Sequence, residues 1–153
     1  MKLSHVDQAG RARMVDVGDK PLMDRTAVAA GTIRMSREAF QRVADQVIAK
    51  GDVLAVSEVA GTLAAKRTAE LIPLCHPLGL EVVEVEASLD ESVPGVRVRA
   101  SVRSVGRTGV EMEALTAVAV ALLTVYDMVK AVDAAMVMSD VRVVEKKKAP
   151  VSG

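Results

Sequence analysis

Two stretches of strict alternation constrain the fold more than anything else in the chain. Val83, Val85, Ala87 and Leu89 alternate with Glu84, Glu86 and Ser88, and Val96, Val98, Ala100 and Val102 alternate with Arg97, Arg99, Ser101 and Arg103. A period of two puts the apolar side chains on one face of a strand and the polar ones on the other. Ser92-Val93-Pro94-Gly95 between them is turn chemistry, so the pair reads as an antiparallel hairpin with one wet face. Glutamates on one outer strand and arginines on the other suit cross-strand charge pairing.

The remaining elements follow from periodicity and punctuation. Met14-Val15-Asp16-Val17 suggests a short strand ahead of a turn at Gly18-Asp19-Lys20-Pro21. Small and β-branched residues predict a strand over Arg25 to Met35, and Ser36 is an N-cap for a helix with Glu38 in its first turn. Phe40, Val43, Ala44, Val47 and Ile48 mark one face of that helix, and Gly51 fits a left-handed C′ stop. A second helix over Val53 to Leu71 is expected to turn Val56, Val59, Ala60, Leu63 and Ala64 inward. A long helix from about Thr108 to Ala134 and a strand over Val137 to Val144 close the order strand, helix, helix, strand, strand, helix, strand. That order predicts an α+β domain of the ferredoxin-like split βαβ kind, an antiparallel sheet with helices on one face. The reading is one domain over 1–153, with about 1–13 and 146–153 expected to be mobile.

Half of the residues are hydrophobic, yet there is one Phe, one Tyr and no Trp, so the core is Val, Ala, Leu and Met. Twenty basic and twenty acidic residues cancel, and no net field draws the chain to nucleic acid or an anionic membrane. RNA-binding sheets also need exposed aromatic platforms, which two aromatics on expected helices do not supply. The apolar run Ala114 to Tyr126 is 13 residues long, too short for a bilayer, and reads as a buried helix. A single cysteine excludes an internal disulfide, and no secretory signal is evident; both are expected of a cytoplasmic protein.

Chemistry concentrates in a few places. In Leu71-Ile72-Pro73-Leu74-Cys75-His76-Pro77-Leu78, one of two histidines adjoins the only cysteine between two prolines. The prolines hold Ile72 and His76 extended and exclude helix. A histidine bordering the core and a histidine placed for reaction both fit. On the long helix the charges Glu113 and Asp127 stand out, fourteen residues apart and within about 40° of one face. Asp127 and Lys130 are at i, i+3 and can touch; their apolar neighbours suggest enclosure, although a surface pair fits the spacing as well. Gly106 to Glu113 could present a helix N-terminus to an anion, or could be ordinary first-turn acids. Lys50 reads first as a dipole-favoured terminal lysine, and Lys66-Arg67 as a solvated face. Adjacent Cys75 and His76, with His5 in a loose arm, do not make a zinc ligand set.

Together, Ala64-Ala65-Lys66-Arg67-Thr68 leading to the Cys75-His76 segment, Thr108 to Val118, and Thr124 to Lys130 resemble the cyclic pyranopterin monophosphate synthase family of molybdenum cofactor biosynthesis. The likeness runs from Arg13 to about Lys146. It implies a ferredoxin-like homohexamer, a trimer of dimers with active sites between subunits. It also implies a lyase reaction: (8S)-3′,8-cyclo-7,8-dihydroguanosine 5′-triphosphate becomes cyclic pyranopterin monophosphate, and pyrophosphate leaves. On this sequence Asp127, Lys130 and Lys50 match the catalytic residues. Leu74, Cys75, His76, Met112 and Glu113 match substrate-contacting segments, with Glu111, Arg25, Lys66 and Lys146 as further contacts. No tightly bound cofactor or metal is implied; Mg2+ accompanying the triphosphate is compatible with the reading. Two lysines in one enclosed site are expected to repel and so lower one pKa.

The resemblance weakens at the C-terminus. The family pattern continues as a glycine-rich Lys-Ser-Gly-Gly-Lys-Ser-Gly tail, whereas this chain reads Lys146-Lys147-Lys148-Ala149-Pro150-Val151-Ser152-Gly153. Pro150 stands where the second lysine would fall. The runner-up reading is therefore a catalytically impaired, nucleotide-binding relative of the same fold.

Overall fold

The structure, a computed structural model, describes residues 4–152. Its sheet contains β1 (Met23–Arg34), β2 (Val82–Asp90), β3 (Gly95–Gly106) and β4 (Val137–Pro150), ordered β2-β3-β1-β4 with every pairing antiparallel. The helices are α1 (Arg37–Ala44), α2 (Val53–Lys66), the single turn α3 (Thr68–Leu71) and α4 (Glu111–Val129). This is the expected α+β arrangement. The two crossovers between non-adjacent strands each carry a long helix, and α2 and α4 pack on the sheet and on each other.

The alternation read from the sequence is realised. Val96, Val98, Ala100 and Val102 are buried against α4, while Arg97, Arg99 and Arg103 project to the opposite face. Glu86 lies opposite Arg99 in the hairpin register, whereas Arg97 bonds Asp90 and Arg103 reaches Asp24 of β1 at 2.8 Å. Those last two partners differ from simple glutamate–arginine pairing across the hairpin.

α1 begins as expected, with the Ser36 hydroxyl accepting the Ala39 N–H at 3.1 Å. It ends sooner, because Gln46 takes a left-handed φ of +56° one residue after the Asp45 cap. Ile48 still folds back into the core, but Ala44 and Val47 face solvent. Gly51 is left-handed at φ +106°, in the loop ahead of α2 and not at a helix end.

α2 corrects the sequence reading more deeply. Its buried face is Val53, Ser57, Gly61, Ala64 and Ala65, whereas Val56, Val59 and Leu63 are 43%, 61% and 51% exposed. Small residues are buried because α2 and α4 approach too closely for large ones. A Cβ on Gly61 would sit 2.9 Å from the Ala117 carbonyl and 3.0 Å from Val85 Cγ1. Glu58, on the same helix, accepts the Ala87 N–H of the edge strand β2 at 2.9 Å, which occupies one of the donors an edge leaves open.

Two further differences lie near the termini. Met14 to Val17 forms no strand and joins no ladder, and the arm before it is tied by a Val6–Ala12 bridge. β4 runs beyond Val144 to Pro150, pairing Lys146, Lys147 and Lys148 with Ala27, Thr26 and Arg25. α4 is apolar and long enough to cross a bilayer by composition alone, but its Val118, Ala121, Leu122 and Val125 are fully buried in the core.

Candidate active site

Functional side chains gather at the two ends of α4. At its C-terminus, Asp127 Oδ2 accepts from Lys50 Nζ at 2.8 Å and Oδ1 lies 2.9 Å from Lys130 Nζ. The backbone explains how three residues so far apart in sequence meet. Lys130 is the C-cap of α4, where exposed carbonyls favour a cation. Lys50 precedes Gly51, whose positive φ redirects the chain, and Asp52 then caps α2 by accepting the Ala55 N–H at 3.1 Å. Lys50 also donates to the Asp127 carbonyl at 3.0 Å, closing one more orphan acceptor of the helix end.

The expected enclosure is absent in the protomer. Asp127, Lys50 and Lys130 keep 58%, 51% and 52% of their side-chain area exposed. Val125, Met128 and Val129 are buried, but at 100° per residue the intervening position points outward. The electrostatics also reverse an expectation. Bonds from Lys50 and Lys130 hold the Asp127 carboxyl down at about 2, and Asp127 pulls the Lys130 ammonium up instead of letting lysine repulsion lower it.

At the N-terminal end of α4, Cys75 Sγ lies 3.6 Å from Glu113 Oε1. Glu113 is only 3% exposed, and its Oε2 has no hydrogen-bond partner among the described residues. Burial, with repulsion from Glu111 added, raises the Glu113 carboxyl above its ordinary value. Burial and the same Glu113 push the Cys75 thiol up to about 11, so at neutral pH it is a thiol and not a nucleophilic thiolate.

His76 Nε2 lies 2.7 Å from the Val15 carbonyl. A carbonyl only accepts, so Nε2 carries the proton and Nδ1 is the ring nitrogen left for a ligand. Leu74, Cys75, His76, Glu111 and Met112 line one cavity of about 310 Å³. Lys146 reaches it through Glu111, whose Oε1 is 2.6 Å from its Nζ. Lys66 and Glu113 share a smaller neighbouring cavity of about 140 Å³. Arg25 is engaged locally, donating to the Gly106 and Arg107 carbonyls at 3.2 Å each and so fixing the loop that enters α4.

Glu113 and Asp127 share a helix but not an environment: fourteen residues at 1.5 Å each separate them by about 21 Å. One protomer thus carries two separate constellations, a lysine–carboxylate trio and a cavity with thiol, imidazole and buried acid. Sequence reasoning missed the contribution of the arm. His5 and Lys20 line the same cavity as His76, which periodicity had no means of showing.

The MoaC family model matches residues 14–149. This chain belongs to the MoaC family. Curated relatives named cyclic pyranopterin monophosphate synthase, from Brucella ovis, Brucella canis and Brucella suis, are 56% identical over 145 residues, which is 95% of this chain and 88% of each relative. The match takes in both ends of α4 and the lysine loop before α2, so the two constellations lie within the MoaC portion of the chain.

Proposed function

We propose that this MoaC protein is a cyclic pyranopterin monophosphate synthase of molybdenum cofactor biosynthesis. It converts (8S)-3′,8-cyclo-7,8-dihydroguanosine 5′-triphosphate to cyclic pyranopterin monophosphate with release of pyrophosphate. The observation that carries the residue assignment is the convergence of Lys50 and Lys130 on Asp127. Rebuilding a guanine-derived ring and closing a cyclic phosphate both need protons moved, and a departing pyrophosphate needs positive charge. Asp127 holds two ammonium groups in one place and leaves the trio with one net positive charge. Lys130, kept protonated by Asp127, suits stabilisation of the leaving group's charge better than it suits a base. Burial raises the Glu113 carboxyl above its ordinary value, and its Oε2, without a partner among the described residues, is placed to meet a polar group of the substrate.

The trio and the cavity lie too far apart along α4 for one substrate's reacting atoms to touch both in a single protomer. In this reading the trio of one subunit faces the cavity of another within a homohexamer, and the missing enclosure comes from the neighbour. The exposed Val56, Val59 and Leu63 give α2 an apolar stripe that a second copy would cover. The proposal includes a cytoplasmic setting and no resident cofactor, Mg2+ entering with the triphosphate.

The test is pyrophosphate release from the cyclic dihydroguanosine triphosphate by wild type and by Lys130→Ala. Wild type turns over, and Lys130→Ala loses activity by about a hundredfold or more while melting and assembling as wild type does. Near-normal turnover by the variant would remove Lys130 from the chemistry. Wild-type binding without any turnover would favour the impaired relative suggested by the altered tail.

A further inference from the structure

We propose that the N-terminal arm is a working wall of the substrate cavity and that His5, with Lys20, contacts an anionic group of the nucleotide-derived substrate. The inference rests on the function proposed above and extends it beyond the lysine trio, to Lys20 inside the MoaC match and to His5 ahead of it.

The cavity of about 310 Å³ is closed on one side by the arm and on the other by the loop before Pro77 and the start of α4. Both histidines of the chain and its only cysteine line this one space. The arm is folded on itself. The Arg13 N–H donates to the His5 carbonyl at 2.9 Å, and the Asp7 carboxylate accepts the Ala9 and Arg11 N–H groups at 2.9 Å each. Further along, the Val15 carbonyl accepts from His76 at 2.7 Å and the Lys20 carbonyl accepts from Arg107 Nε at 3.1 Å. The segment that follows the arm therefore orients His76, while the arm adds His5.

Charge decides the ligand class. The lining carries the Lys20 ammonium and the His5 imidazole against a single acid, Glu111, and Lys146 already offsets that acid; the His76 Nε2–H is taken up by the Val15 carbonyl. Such a lining favours an anion. Among the described residues no hydrogen bond engages the His5 ring, and His5 lines the cavity.

Inorganic triphosphate titrated calorimetrically into wild type, His5→Ala, His5→Gln and Lys20→Ala tests this, alongside KM and kcat for the cyclic substrate. Loss of one charge-assisted contact predicts about tenfold weaker triphosphate binding and a matching rise in KM in each alanine variant. kcat changes far less, and His5→Gln recovers part of the loss because it keeps an N–H donor. Triphosphate affinity and KM within about twofold of wild type in both alanine variants would overturn the inference. If His5→Ala melts early, Lys20→Ala decides, since that side chain is exposed. The titration needs no turnover, so a chain that binds triphosphate through His5 yet releases no pyrophosphate would sink the function and spare the wall.

Discussion

At Asp127 two ammonium groups share one carboxylate, and the ionisation of that group follows from the sharing. Its folded value near 2 lies below the ordinary 3.8, so the trio is fully formed above about pH 4 and is lost as pH falls through about 2. Carboxyl-carbon NMR should show Asp127 titrating near 2; a midpoint at 3.8 or above would mean that the lysines do not hold it. The trio's chemical members were legible in the sequence only through the resemblance, because spacing alone pairs Asp127 with Lys130 and says nothing of Lys50. Contact with Lys50 depends on the left-handed turn at Gly51, a backbone event that periodicity does not report. His76 was legible as rigidly placed, since two prolines dictate that. Its tautomer was not, because the Val15 carbonyl that sets it comes from the arm.

At the scale of elements, β2 and β3 could be read because their alternation has one burial solution, and α2 could not. Its large apolar residues face outward, and its inward face is built from Ser57, Gly61 and Ala64. A reading that sends the largest hydrophobes inward assumes that the protomer is the whole packing problem. Gly61 lets α2 close on α4, so Gly61→Ala should destabilise the fold by about 1–3 kcal/mol through overpacking. Urea unfolding measures this, and unchanged stability would show that the helices part at little cost. The short α1 has a similar explanation: once Gln46 turns left-handed, Ile48 is buried from a loop and no longer needs a helical face.

At the scale of the whole molecule, the protomer is complete as a fold and incomplete as a site. Core burial is finished, yet the trio is exposed and the cavity stands at the other end of α4. In the proposed homohexamer a second copy covers the α2 stripe and supplies what is missing. Leu63→Glu, which places a charge on that stripe without touching the core, should therefore shift the protein to smaller species in light scattering, with native circular dichroism retained. An assembly of unchanged mass would place the subunit contact elsewhere. The most direct measurement combines two variants crippled at opposite ends of α4. Lys130→Ala and His76→Ala subunits are co-expressed with different tags, and doubly tagged assemblies are assayed for pyrophosphate release. Each variant alone should be inactive, while mixed assemblies recover activity at sites that draw an intact trio from one subunit and an intact cavity from the next. Mixed assemblies as inactive as their parents, beside an active wild type, would contradict a site shared between subunits.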